Sequence, residues 1–212
     1  MVAVPHPLAW FLGFDSLMEF IGFAIAMAVA YQALKGYKLS KERTLLYLHL
    51  SFVLLGTGLL VDGLASLIAL RAKLLAGLLL LYALCYAVNF LTQLLAYGIL
   101  AFAYFRQARN VASQSLAATA VVSAFFFERN AIAEFILAIL LVYITTQAAM
   151  NYSVGKSRNS LLVVGAFASL MLAHFFFMIF VLNPIFFPLA HIAQLFGFLL
   201  LLAMLLRVNQ PS

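Results

Sequence analysis

Long apolar stretches, separated by short polar or basic gaps, make up most of the chain. The hydrocarbon core of a bilayer is about 30 Å thick, so a helix that crosses it needs roughly 20 mainly apolar residues. On that measure the pattern predicts seven transmembrane helices, at about 13–34, 45–69, 80–105, 111–127, 131–151, 160–182 and 187–207. The sequence therefore predicts an all-α membrane protein, with residues 1–212 forming a single integral membrane domain.

Composition supports this prediction and excludes two large classes of protein. Hydrophobic residues make up 67% of the chain and charged residues 8%, whereas a soluble domain carries about 25% charged residues. A soluble enzyme and a soluble nucleic-acid-binding protein are therefore excluded. The net charge of +6 does not indicate a nucleic-acid partner, because the basic residues lie in the gaps between apolar segments, where they set orientation in the bilayer.

The distribution of basic residues favours seven crossings. With the N-terminus outside, nine of the 12 Lys and Arg lie on the inner side, and Arg71, Lys73 and Arg129 lie outside. If 111–127 does not cross, the ratio falls to seven against five. The excess of inner positive charge predicts an external N-terminus and a cytoplasmic C-terminus. The expected location is the cell membrane. The third helix can begin as early as Leu74, with Asp62 as a candidate partner of the Arg71–Lys73 turn.

An internal repeat links the two ends of the chain. Residues 16–60 align without a gap to residues 131–175, at an offset of 115, with eleven identities in 45 positions. Composition alone would give roughly four. The identities include rare polar residues, among them the pair Glu19/Glu134 and the turns Lys41-x-Arg43 and Lys156-x-Arg158.

The third and last helices extend the repeat at an offset of 101, which pairs Gln93-Leu94 with Gln194-Leu195 and Arg106 with Arg207. The predicted order is thus 3+1+3: a first repeat over about 13–106, a linker helix over about 111–127 and a second repeat over about 131–207. An odd linker keeps the two repeats parallel, about an axis normal to the membrane. This plan resembles that of SWEET sugar transporters and, more loosely, seven-helix rhodopsins. Resemblance of plan does not give function.

Ionisable residues inside the spans are candidate site residues, because they are costly in a bilayer. Glu19 and Glu134 occupy equivalent repeat positions near the outer side. They are expected to face one another across the pseudo-axis as a carboxylate pair for a proton, a cation or a polar solute. Two close carboxylates tend to share a proton. The alternative is that each lies near the headgroups, held by a neighbouring polar group.

His174 in the sixth predicted helix and His191 in the seventh are expected at a depth close to that of the two glutamates. They favour hydrogen bonds between helices, worth about 1 kcal/mol each. A haem with both histidines as axial ligands is an alternative. Helices joined by so short a turn usually pack about 8–10 Å apart, which leaves little room for a porphyrin.

Gln93 and Gln194, with Asn89 one turn before Gln93, form a second symmetric set. Amides in a bundle core can bind a polar substrate with both donors and acceptors. The alternative is that they join neighbouring helices. Glycines at 56, 58 and 63 are expected to permit close helix packing.

Several chemistries are excluded by residues that the sequence lacks. No lysine follows Lys156, so the last helix cannot form a retinal Schiff base. No phosphate loop, HExxH motif, Asp-x-x-x-Asp metal pair or GxSxG elbow is present, which gives no catalytic residue and no metal site and argues against an enzyme. The single Cys85 excludes an internal disulfide.

Three functions fit these features. The repeats and the symmetric polar pairs favour a small-solute or ion/proton-coupled transporter in the bilayer. The low polar content fits an accessory or sensory subunit that packs against a membrane-protein partner or a second copy of itself. A haem- or quinone-binding redox protein is the third.

Overall fold

Six long helices make up the described protein. The computed structural model describes residues 6–71, 75–107 and 131–210. They form α1 (His6–Ser40), α2 (Arg43–Arg71), α3 (Leu75–Gln107), α4 (Ala131–Gly155), α5 (Arg158–Ile179) and α6 (Phe186–Val208), with no strand in these ranges. Each helix contains a segment long and apolar enough to cross a membrane. The chain is therefore a multi-pass membrane protein.

Six of the seven predicted spans coincide with these helices. The predicted fourth span, 111–127, lies outside the described residues, so the count of seven and the 3+1+3 order stay predictions. α3 begins at Leu75, close to the early start that the sequence allows, and α1 begins at His6 rather than near residue 13. At 1.5 Å per residue α1 is about 52 Å long, so it extends beyond the hydrocarbon core or tilts within it.

The six helices form a closed ring. Each packs against the next described helix in the chain, and α6 packs against α1. Short turns make antiparallel neighbours of α1 and α2, α2 and α3, α4 and α5, and α5 and α6. Asp15 and His191 pair near the starts of α1 and α6, and Asn209 after α6 donates to the Gln32 carbonyl late in α1, so α1 and α6 are parallel. Consequently α1, α3, α4 and α6 run in one direction, and α2 and α5 run in the other.

Among the described residues, most carboxylates lie at one end of the bundle and most basic side chains at the other. The basic end contains Lys41, Arg43, Arg106, Lys156, Arg158 and Arg207. The acidic end contains four of the six carboxylates of the chain: Asp15, Glu19, Asp62 and Glu134. α3 finishes at the basic end with Gln107, whereas α4 starts at the acidic end with Ala131. The last residue of α3 and the first residue of α4 thus lie at opposite ends of the bundle.

The turns that follow α1 and α4 share an uncommon backbone geometry. Lys41 and Lys156 both have positive φ, 61° and 43°, which few residues other than glycine adopt. Each donates its backbone N–H to a tyrosine carbonyl four residues earlier, Tyr37 or Tyr152, at 2.8 and 2.7 Å. These are positions that the 115-residue offset aligns, so the agreement supports the predicted repeat.

Apolar side chains fill the middle of the ring. Phe52 of α2 packs edge-on against Phe198 of α6, with ring centroids 5.4 Å apart. Tyr104 of α3 meets Phe167 of α5 in the same way at 6.2 Å. These contacts cross the bundle between its two ends, so a solute that passes through the ring requires them to separate.

Glycines of α2 allow its close packing, as the sequence predicts. A Cβ atom at Gly58 would collide with the Thr92 hydroxyl and lie 2.7 Å from Asn89 Oδ1, both on α3. At Gly63 a Cβ atom would lie 3.1 Å from Glu19 Cβ on α1. Because Gly58 and Gly63 have no side chain, α3 and α1 can pack close to α2 at these positions.

The direction of the helices predicts which exposed positions share one side of the membrane. Leu39 and Val154, 70% and 89% exposed, lie at the basic end, and Leu182, 82% exposed, lies at the acidic end. In a Cys85→Ser background, Leu39→Cys and Val154→Cys should react with a membrane-impermeant maleimide from the same side, and Leu182→Cys from the other side. If Leu39→Cys and Val154→Cys react from opposite sides, the chain between α3 and α4 does not cross and the seven-span prediction is wrong.

Candidate binding site at the acidic end

Most of the predicted site residues line one cavity at the acidic end. It has about 30 Å³ of space for water, enough for one to a few molecules. All six described helices contribute side chains to its wall: Glu19, Asp62, Tyr86, Asn89, Phe90, Gln93, Glu134, Leu137, His174, Phe177 and Gln194. Six of the seven residues that the sequence singles out are in this set, and His191 is not. Glu19 and Glu134 thus reach one cavity from different halves of the chain.

A hydrogen-bonded chain of three side chains links α3, α4 and α5. His174 Nδ1 lies 2.7 Å from Glu134 Oε2, and His174 Nε2 lies 3.0 Å from the Tyr97 hydroxyl. A neutral imidazole satisfies all three groups if Nδ1–H donates to the carboxylate and Nε2 accepts from the tyrosine. Glu134 lies in the first turn of α4, where the helix dipole favours negative charge. The chain ends at Tyr97, which is 1% exposed.

A second polar chain joins α2 to α3. Asn89 Nδ2 donates to Asp62 Oδ2 at 3.0 Å, and Gln93 Nε2 donates to Asn89 Oδ1 at 2.9 Å. Asn89 and Gln93 share a helix face because they are four residues apart. Gln93 Oε1 is buried and accepts no hydrogen bond. This amide oxygen at the cavity wall can accept a hydrogen bond from a ligand or bind a ligand with positive charge.

A third cluster lies behind Glu19, between α1, α2 and α6. Ser66 donates to Asp15 Oδ2 at 2.7 Å. His191 Nε2 lies 3.3 Å from Asp15 Oδ1, and His191 Nδ1 lies 4.0 Å from Glu19 Oε1. Asp15, Ser66, Glu19 and His191 are each at least 95% buried. This cluster connects with the cavity through Glu19, which belongs to both.

Aromatic rings enclose His191 on its other sides. The rings of Phe14, Phe177 and Phe187 have centroids 5.9, 5.0 and 4.7 Å from that of the imidazole, all edge-on. They exclude bulk water from the ring. His174 therefore lines the cavity, whereas His191 does not. Phe177, which lines the cavity, packs against the His191 ring.

His174 is hydrogen-bonded to a carboxylate of another helix, and His191 lies 3.3 Å from a carboxylate oxygen of Asp15 on α1. In the haem alternative both imidazoles ligate iron, whereas in the described structure both nitrogens of His174 are hydrogen-bonded to Glu134 and Tyr97. His49, at the basic end, lies 2.9 Å from the Ala30 carbonyl of α1. It takes no part in the site.

Four residues of these clusters were not among the predicted site residues: Asp15, Asp62, Ser66 and Tyr97. Asp15 falls two residues inside the predicted start of the first span, a position typical of the headgroup region. In the structure α1 starts nine residues before it. The available signal was spacing: Asp15/Glu19 and Asp62/Ser66 are each four residues apart and so share a helix face.

Comparisons of the chain with protein-family models, with curated proteins and with solved structures give no match.

Proposed function

We propose that this chain is an ion transporter coupled to protons, located in the cell membrane, with the cavity at the acidic end as its binding site. The observation that carries the proposal is the wall of that cavity. Three carboxylates, one imidazole and three amides converge there from six helices. Ionisable groups within spans mark ion pathways and proton relays more often than purely structural positions.

The size of the cavity favours an ion over an organic solute. Its volume of about 30 Å³ suits one ion or a few waters. Oxygen atoms dominate the polar wall, and Gln93 Oε1 is an acceptor that no group in the described part of the chain satisfies. Carboxylate and amide oxygens are the usual ligands of hard cations.

Proton coupling is supported by the chain that runs from Glu134 through His174 to Tyr97. Its two hydrogen bonds, 2.7 and 3.0 Å, allow a proton to move between the carboxylate and the imidazole without a bridging water. Histidine and glutamate chains of this kind serve as proton relays in pumps and transporters. A cation that binds beside Glu134 would favour release of the proton, because like charges repel in a low-dielectric site.

The arrangement of two halves suits alternating access. The ring of helices and the matched turns at Lys41 and Lys156 support two three-helix repeats, which in transporters rock against each other around a shared site. The crossing contacts Phe52–Phe198 and Tyr104–Phe167 close the route towards the basic end. The described structure thus corresponds to the state closed on that side.

Proton movement in proteoliposomes tests the proposal. Vesicles loaded with pyranine, with a K⁺/valinomycin potential and with Na⁺ or Mn²⁺ outside, should show an internal pH change that protein-free vesicles lack. Glu134→Gln keeps the shape of the side chain and removes its charge, so we expect the rate to fall to the protein-free level. Glu42→Gln, an exposed glutamate beside the basic end, is the matched control and should equal wild type.

Two results would contradict transport. One is a wild-type rate equal to that of protein-free vesicles with either cation. The other is an unchanged rate in Glu134→Gln. The purification also tests the alternatives: a stoichiometric second membrane protein would favour the accessory role, and a Soret band would favour the redox role.

A further inference from the structure

A set of three side chains beside the cavity has the composition and spacing of metal ligands. Asp15 and Glu19 lie one turn apart on α1, and His191 faces them from α6. One donor atom from each lies within 4.8 Å of those of the other two. All three side chains are buried, at 0%, 5% and 1% exposure. Two carboxylates and an imidazole at this spacing are a donor set that transition-metal sites in proteins use.

The distances suit a bound ion after a small closure. Carboxylate oxygens and imidazole nitrogens lie about 2.0–2.2 Å from Zn²⁺, so two ligands of one ion are at most about 4.4 Å apart. The observed limit of 4.8 Å exceeds this by a few tenths of an ångström, so the side chains must shift by about that much to share one ion. A divalent ion would balance the two carboxylates, with the imidazole neutral.

Two further features are typical of a metal-binding site. The Ser66 hydroxyl donates to Asp15 Oδ2 at 2.7 Å, which leaves Oδ1 facing His191; hydrogen bonds to the far atom of a ligand orient it towards the metal. Gln194 is 9% exposed, lies three residues after His191 and lines the cavity that Glu19 also lines. Its amide makes no hydrogen bond with the described part of the chain. It is a buried polar group available as a fourth ligand.

We propose that Asp15, Glu19 and His191 bind one divalent first-row transition-metal ion, such as Zn²⁺ or Mn²⁺, with Gln194 completing the site on the cavity side. The imidazole selects for this class, because Ca²⁺ and Mg²⁺ take oxygen ligands. Binding does not depend on transport. The role of the metal as the transported ion rests on the proposed function, since Glu19 joins the metal site to the cavity.

Calorimetric titration of the purified, chelator-treated full chain with Zn²⁺ tests the site, with Mg²⁺ and Ca²⁺ for comparison. We expect one Zn²⁺ per chain at this site, bound far more tightly than Mg²⁺ or Ca²⁺. His191→Gln and Asp15→Asn should each weaken Zn²⁺ binding by more than about 100-fold, and Ser66→Ala by about 10- to 100-fold. His49→Gln, a histidine bonded to a backbone carbonyl near the basic end, should bind as wild type. Gel filtration and thermal unfolding report the folding of each variant.

Several results would overturn the site: no Zn²⁺ binding by wild type, equal affinity in a folded Asp15→Asn or His191→Gln, or loss of binding in His49→Gln. Glu19→Gln repeats the test if the other two variants do not fold. Zn²⁺ binding that persists in a preparation without proton flux would reject transport and keep the metal site. Proton flux without Zn²⁺ binding would reject the metal site and keep transport.

Discussion

Replacing His174 with leucine is expected to lower the free energy of unfolding by about 3 kcal/mol. The change removes the partner of Glu134, 2.7 Å away, and leaves its carboxylate, which is 14% exposed, without that hydrogen bond. It also removes the acceptor of the fully buried Tyr97 hydroxyl. Each buried polar group left without its partner costs about 1–3 kcal/mol, and more if it is charged, and the total stays near 3 kcal/mol because the cavity leaves Glu134 some access to water.

The triple substitution Tyr97→Phe, Glu134→Leu and His174→Leu provides the control. It removes the whole chain and leaves no orphaned polar group, so its stability should lie within about 1 kcal/mol of wild type. The predicted repeat aligns His174 with Leu59 and Tyr97 with Phe198. Leucine and phenylalanine therefore already occupy the equivalent positions of the other predicted repeat. Reversible unfolding in mixed detergent and SDS micelles measures both variants. Equal losses in the single and triple variants would mean that packing, rather than the polar chain, explains the effect.

Most of the fold could be predicted because a bilayer leaves few choices. Backbone groups in hydrocarbon need internal hydrogen bonds, so an apolar stretch of about 20 residues is a helix. The same physics does not fix where a helix stops once it leaves the hydrocarbon. α1 therefore starts at His6, earlier than the predicted position 13, and α3 starts at Leu75, next to the earliest start, Leu74, that the sequence allows.

The candidate site was partly predictable because polar residues within spans are rare and seldom accidental. Depth along the helix predicts that Glu19, His174 and Glu134 lie at a similar level, and all three line the cavity. Depth does not give the rotation of each helix about its axis, and rotation decides whether a side chain reaches the cavity. His191 therefore lies behind Glu19, where Asp15 meets it.

The two glutamates also show how the halves differ. Glu134 is bound by a histidine of α5, whereas Glu19 lies near one of α6. The offsets align these histidines with Leu59 and Phe90, so neither has a histidine counterpart. One half therefore holds its glutamate in a hydrogen-bonded chain, and the other places it in a candidate metal site. This difference suits a proton at one glutamate and an ion at the other.

Gly58→Ala is expected to destabilise the protein by about 2 kcal/mol and to abolish proton flux, because it disturbs the cavity wall. The added Cβ would collide with the Thr92 hydroxyl and lie 2.7 Å from Asn89 Oδ1. Relief requires the Asn89 amide to turn away, which breaks its bonds to Asp62 and Gln93. Overpacking of this kind costs about 1–3 kcal/mol, and an unsatisfied buried polar group about 1–3 kcal/mol more unless water replaces the lost bond.

Gly98→Ala is the matched control, since no atom lies within 4 Å of the Cβ position there. Alanine is the better helix former by about 1 kcal/mol, so this variant should equal or exceed wild type in stability and keep its flux. Gly58→Ala should also retain Zn²⁺ binding, because Asp15, Glu19 and His191 do not contact Gly58 in the described structure. Normal flux in a folded Gly58→Ala variant would show that the Asp62–Asn89–Gln93 chain is not required for transport, and the binding site would then be limited to Glu19, Glu134 and His174.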